Sequence, residues 1–191
     1  MNRPSDSTHG EGPDASETAV LGGGCFWCLE AVFVELRGVR RVLPGYAGGR
    51  SAHPSYEEVC AGTTGHAEVV QVSFDAKILP FRDLLDVFFA IHDPTTLNRQ
   101  GADVGSQYRS IVLYRSEGQR EAAEAAIRSK EAELGGRRKV VTELRALDEF
   151  YPAEEYHREY FRRNPEKAYC RMVISPKMSK FRAAFRGRLS P

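Results

Sequence analysis

Residues 22–30 read GGGCFWCLE. Three glycines close a short apolar run, TAVL, and two cysteines three apart bracket Phe26 and Trp27, the only tryptophan in the chain. Downstream, Phe26, Leu29, Val32, Phe33 and Leu36 recur at helical spacing, and Gly38 ends the pattern. The stretch is therefore a strand-to-helix turn with a thiol at the start of the helix. A helix N-terminus carries unpaired N–H groups that stabilise an anion, so Cys25 is placed where a thiolate is favoured. The glycines permit a tight turn and a close approach of backbone or ligand. Cys28 follows one turn later, within reach of a disulfide to Cys25 after modest rearrangement.

Working outward, interleaved strands and helices follow. AEVVQVSF alternates as a strand, with Val70, Val72 and Phe74 on one face. Pro80 opens an amphipathic helix bearing Phe81, Leu84, Leu85, Phe88 and Ile91. PTTLNRQGADVGSQ is a long aperiodic loop, the kind that is functional or disordered in compact domains. YRSIVLY returns to strand, and Ser116 with Gln119 predicts a capping box for the helix after it. KVVTELRAL reads as a strand and AEEYHREYFRR as a helix stopped by Asn-Pro. These elements predict an α+β two-layer sandwich with long surrounding loops. Residues 1–17, rich in Ser, Asp, Gly and Pro, read as a disordered tail, and 18–191 as one domain.

Composition narrows the function classes. The 191 residues carry 27 basic and 26 acidic side chains, a formal net charge of +1, so no global field pulls the chain toward nucleic acid or an anionic membrane. No stretch approaches the roughly 20 apolar residues that span a bilayer, and the polar N-terminus lacks a signal-peptide core. A cytoplasmic location is expected, where four cysteines are too few for a disulfide scaffold. A CxxC there points to redox chemistry, to zinc completed by Cys60, His53 and His66, or to two small buried hydrophobes. The zinc reading lacks a second close-spaced pair.

Glu68 lies two residues before Val70, on the apolar face of its strand. Desolvation there raises a carboxyl pKa and makes a general acid near neutral pH; a strand-edge glutamate bending to solvent is the plain alternative. Tyr56 and Tyr108 border loops, where a phenol offers a hydrogen bond to a ligand or packs with a polar tip.

The blocks GGCFWCLE, YEEVCAGTTGHAEVVQVSFD, DPTTLNRQGADVGSQYRS and YHREYFRRNPEKAYC together resemble the A-class peptide methionine sulfoxide reductases, the peptide-methionine (S)-S-oxide reductases. They span nearly the whole chain from Thr18 to beyond Cys170. The resemblance implies a ferredoxin-like core wrapped in coil, with Cys25 as nucleophile and Glu68 as acid. It implies Tyr56, Tyr108 and Asp103 as polar site residues, and Phe26 and Trp27 as the cup for the substrate's S-methyl group. The implied substrate is the S epimer of methionine sulfoxide, protein-bound or free, with a sulfenic acid on Cys25 resolved as a disulfide. No bound metal or other cofactor is implied; an external dithiol, thioredoxin, is the reductant, and a monomer is expected. For the resolving thiol Cys170, within NPEKAYC, matches a family position but needs a mobile tail to reach Cys25, while Cys28 forms a compact pair. The choice leans to Cys170.

Cys60 reads as structural and His157 as a packing residue. His53 and Arg158 depart from common family residues without touching the implied chemistry. Phe181 and Phe185, four apart in the basic C-terminal stretch, predict a short helix docked on the body rather than a nucleic-acid patch. A thioredoxin-like dithiol–disulfide oxidoreductase is the competing function; it needs the CxxC but neither the buried acid nor the aromatic cup.

Overall fold

The computed structural model describes residues 16–191. Most of the expected tail lies outside the described residues, but its last two positions do not. Strand β1 (Ser16–Gly22) starts there, paired with β3 (Ala67–Asp75) from Ser16↔Asp75 onward.

Six strands form one sheet in the order β7-β6-β1-β3-β2-β8. The remaining members are β2 (Val39–Ala47), β6 (Ile111–Tyr114), β7 (Glu143–Ala146) and β8 (Phe150–Pro152). Pairing is antiparallel except between β6 and β7. The strand read over KVVTELRAL thus contracts to four residues at the sheet edge.

Strand alternation sorts the core into two faces. Leu21, Val70, Val72 and Phe74 look toward the helices. Val20, Ala47, Val69, Ile111 and Leu113 make a smaller cluster on the other side, under Phe150 and Leu147. Against the first face pack α1 (Phe26–Phe33) and α3 (Phe81–Ile91), which bury Phe26, Leu29, Phe33, Leu84, Leu85 and Phe88 almost completely. Burying each of these large apolar side chains stabilises the fold by about 1.5–3 kcal/mol. Helix α1 is shorter than its apolar pattern, and Leu36 bridges to Leu189 instead of continuing it.

Two short elements border the site: α2 (Tyr56–Cys60) and the hairpin of β4 (Arg99–Gln100) with β5 (Asp103–Val104) inside the long aperiodic loop. Helix α4 (Glu117–Glu133) is capped by Ser116, whose Oγ accepts from Gln119 N–H at 3.2 Å. The reciprocal half of the predicted box is displaced by one residue, because Gln119 Oε1 accepts from Arg115 N–H.

The helix predicted over AEEYHREYFRR is broken. A 3-10 turn, Glu155–His157, is followed by Glu159 in the left-handed region at φ 51° and then by α5 (Tyr160–Arg163). The break has a partner: Glu30 on α1, itself buried, accepts the Glu159 N–H at 2.9 Å. Past α5 a π-helical turn, Cys170–Ile174, leads into α6 (Ser175–Ala184), which docks Phe181 in the core as expected, its ring 5.6 Å from that of Phe185.

Candidate active site

Cys25 sits between β1 and α1 because Gly24 turns the chain at φ 92°. A Cβ on Gly24 would also lie 2.8 Å from Gln100 Cγ, and its N–H donates to the Tyr108 carbonyl at 3.2 Å. Cys25 caps α1, its carbonyl accepting from Cys28 N–H at 3.0 Å. The next N–H, that of Phe26, donates to Glu68 Oε2 at 3.0 Å. One N–H of the helix terminus that sequence reasoning reserved for a thiolate therefore serves a carboxyl.

The charges follow from that arrangement. Burial pushes the Cys25 thiol well above its usual range, and the adjacent Cys28 and Glu68 push the same way. The Cys28 thiol is held down at about 7, chiefly by the hydrogen bond from Cys25, with help from Lys177 and the Tyr169 hydroxyl. Burial and the neighbouring groups thus oppose the thiolate that the helix terminus favours at Cys25. Sequence reasoning weighed the helix N-terminus and not the neighbouring sulfur.

Glu68 is 1% exposed, on the helix-side face of β3 as its parity predicts. Burial raises its carboxyl to about 8, against the stabilising Phe26 N–H and with the Asp103 and Cys28 charges adding to the rise. Tyr108 and Tyr56 join it. Burial first, then the Glu68 charge, raises the Tyr108 hydroxyl, and Cys25 acts on it as well. Burial and a hydrogen bond shared with Cys60 raise that of Tyr56. Asp103, on β5, accepts the Tyr169 hydroxyl at 2.6 Å.

Aromatic rings hold the other side. Trp27 stacks on Tyr160 with centroids 3.7 Å apart and planes 5° from parallel, and meets Tyr169 edge-on at 5.8 Å. Its indole N–H donates to His157 Nδ1 at 3.0 Å. Phe26 is fully buried behind it, 5.9 Å from the Tyr46 ring and 4.9 Å from that of His157. His157 is more than the packing residue expected. Burial depresses its pKa, so the ring stays neutral and Nδ1 can accept.

Sequence reasoning also missed Glu154, whose carboxylate accepts from the Tyr46 hydroxyl at 2.7 Å and from Tyr56 N–H at 2.9 Å. It ties β2 to the start of α2, where the Ser55–Glu58 capping box completes the turn. The β2–β3 register sets Tyr46 opposite Glu68.

The remaining cysteines depart from expectation. Cys170 is fully buried at the start of the π-helical turn, not on a tail, and Cys60 is exposed rather than packed in the core. A cavity of about 310 Å³ opens onto both members of the CxxC and is also lined by His92, Asp103, Tyr169 and Lys177. Among the described residues no group of three or more His, Cys, Asp and Glu side chains is placed to hold a metal ion. His66 instead accepts the Gly49 N–H at 3.0 Å, and His53 packs edge-on against Tyr151. Among the described residues no helix is long and apolar enough to cross a membrane.

Known proteins share this arrangement of sequence and fold. Residues 17–189 match the family described as Peptide methionine sulfoxide reductase. The chain is 56% identical over 169 residues to Peptide methionine sulfoxide reductase MsrA of Saccharolobus solfataricus, covering 88% of this chain and 94% of that one. Reduced Mxr1 of Saccharomyces cerevisiae superposes with a TM-score of 0.75 at 34% identity, over 86% of this chain and 94% of that one. Methionine sulfoxide reductase A of Corynebacterium diphtheriae gives 0.73 at 35% identity, over 82% and 78%. A buried acid bonded to the helix that carries a CxxC, beside a fixed tryptophan, goes with these relationships: the chain belongs to the peptide methionine sulfoxide reductase family, oxidoreductases that reduce methionine sulfoxide by cysteine thiol chemistry.

Proposed function

We propose that the chain reduces the S epimer of methionine sulfoxide, free and in oxidised proteins and peptides, with Cys25 as nucleophile and Glu68 as general acid. The observation that carries this is the 3.0 Å bond from Phe26 N–H to the Glu68 carboxyl, which fixes a buried acid at the residue next to Cys25. A carboxyl that titrates near 8 is protonated at neutral pH and can deliver its proton to a sulfoxide oxygen.

As Cys25 sulfur attacks the sulfoxide sulfur, its own proton passes to the Cys28 thiolate, and Glu68 protonates the oxygen. The attack forms an S–S bond. The hydroxyl then passes from methionine sulfur to Cys25 sulfur as the S–S and S–O bonds of this adduct both break, one electron pair staying on methionine sulfur and the other making the S–O bond of the Cys25 sulfenic acid. Tyr56 and Tyr108, un-ionised at neutral pH, donate to the same oxygen; Asp103, joined to Tyr169, bounds the site. Trp27 forms the wall against which the S-methyl group rests, with Phe26 behind it as support. Fixing methyl and oxygen separately selects one configuration at the chiral sulfur.

A dithiol reductant, thioredoxin, closes the cycle; the yeast relative Mxr1 has a crystal structure in complex with Trx2. The order of core elements, β1-α1-β2-β3-α3-β6 with sheet order β6-β1-β3-β2, supports a ferredoxin-like reading of the core. The test is thioredoxin-coupled NADPH oxidation on methionine sulfoxide and on an oxidised peptide. Turnover of both that vanishes in Cys25→Ser is expected; turnover that persists in that variant overturns the assignment of the nucleophile.

A further inference from the structure

We propose that Lys177 binds a carboxylate that the substrate carries beside its methionine sulfoxide, so that the site prefers substrates with a negative charge there. This rests on the reading above that Cys25 reduces methionine sulfoxide, and it names which substrates that site favours.

Lys177 stands on the first turn of α6, half-buried, and lines the cavity of about 310 Å³ that opens onto Cys25 and Cys28. It is the only Lys or Arg among the residues lining that cavity. Among the described residues it has no hydrogen-bond or ion-pair partner. The other charged or titratable groups of the wall outside the CxxC are engaged. Asp93 accepts the Thr95 N–H at 2.9 Å, the Thr95 hydroxyl at 2.6 Å and the Arg138 guanidinium at 3.1 Å. Asp103 accepts the Tyr169 hydroxyl at 2.6 Å. Burial first, and Lys177 with it, pushes the His92 ring down to about 4. The neutral ring donates to the Phe88 carbonyl at 2.6 Å and accepts the Ser110 hydroxyl at 2.7 Å, so it offers nothing to an anion. A carboxylate that enters the cavity therefore meets one positive charge without a bonded partner. Because the ammonium is half-buried, pairing with it is less screened than at an open surface.

The substrate's own structure supplies the match. Two methylene groups separate the sulfoxide sulfur from Cα, so with sulfur at Cys25 the backbone end of the residue lies out along the cavity wall. In free or chain-terminal methionine sulfoxide that end carries an α-carboxylate. Within a chain it is a neutral amide, and the negative charge comes instead from an acidic side chain one residue on. A second cleft, of about 490 Å³, adjoins the first and shares Ile91, Val173 and Lys177 with it, with Lys180 further along. A carboxylate displaced by one residue thus still faces a cation.

The test is kcat/KM of the full-length protein for matched substrates, each as its S epimer, with dithiothreitol as reductant so that thioredoxin docking plays no part. N-acetyl-methionine sulfoxide is compared with its N-methylamide. The N-acetyl dipeptide amide of methionine sulfoxide followed by glutamate is compared with its glutamine analogue. At low salt the wild type is expected to favour the charged member of at least one pair about five- to tenfold. Preference within the first pair identifies the α-carboxylate as the source of the charge, and preference within the second identifies the side chain. Lys177→Gln should bring the ratio close to one, and Lys177→Arg should preserve it. The influence of Lys177 on the Cys28 thiol falls on both members of a pair alike and cancels in the ratio. A wild-type ratio near one in both pairs, or a preference that survives Lys177→Gln, overturns the proposal and leaves the reading of Cys25 intact. No turnover of any of the four substrates by the wild type overturns that reading, and the proposal with it.

Discussion

The indole N–H of Trp27 donates to Nδ1 of His157, 130 residues away, at 3.0 Å. The bond fixes a ring on α1 to the turn before α5, and Tyr160 from the same segment stacks on that ring. The proposed wall for the substrate methyl group is thereby held from outside the helix that carries it. His157→Ala removes the acceptor and should raise KM for methionine sulfoxide about three- to tenfold, in keeping with the loss of one partly buried hydrogen bond. Steady-state kinetics check this; an unchanged KM contradicts the positioning role.

Glu68 titrates near 8 in the folded chain and near 4.5 in an unfolded one. A raised folded pKa means that the stability of the neutral buried acid is complete below the unfolded value and is lost as pH rises through the folded one. Glu68→Gln stays neutral and can still accept from Phe26 N–H. Its melting temperature should therefore gain on the wild type as pH rises from about 5 to 8, the gap widening by up to ~1.4 kcal/mol per pH unit. A gap independent of pH in thermal unfolding would sink the idea of a neutral buried acid.

Glu30 holds the other end of the aromatic clamp. It accepts the Glu159 N–H at 2.9 Å, and burial raises its carboxyl to about 7. Glu30→Ala leaves that N–H without its partner and should destabilise the fold by about 1–3 kcal/mol. It should also weaken the Tyr160 stack on Trp27, visible as a shift in emission from the only tryptophan. A lower melting temperature with unaltered tryptophan emission would show that Glu30 braces the fold without setting the wall.

Gly24 bears the turn that places Cys25. Gly24→Ala meets both the φ of 92° and the Gln100 side chain. A loss of stability of about 1–2 kcal/mol is expected, with a larger fall in kcat than in thermal stability because Cys25 moves with the turn. Gly24→Ala with wild-type kcat would contradict that placement.

Much of this was legible in the sequence. The thiol turn, the helix-side burial of Glu68 by parity with Val70, and the two amphipathic helices all follow from short-range periodicity. His157, Glu154 and Tyr169 were not legible as site residues, because each acts across a long chain separation on a residue of another element. The break at Glu159 was hidden for the same reason: its left-handed backbone is supported by Glu30, not by its own neighbours in sequence. Cys170 has no periodic context to reveal its depth, and a tail was the natural reading for a cysteine so near the end. The balance of charge on the CxxC is not legible either, because burial and the groups around Cys25 act against the helix terminus.

The most direct measurement is single-turnover reduction of the two separated methionine sulfoxide epimers by pre-reduced protein, beside Cys25→Ser and Glu68→Gln. The account predicts methionine from the S epimer alone, none with Cys25→Ser, and a rate lowered about 10²–10⁴-fold with Glu68→Gln. Reduction of the R epimer, or a rate indifferent to Glu68→Gln, would contradict it.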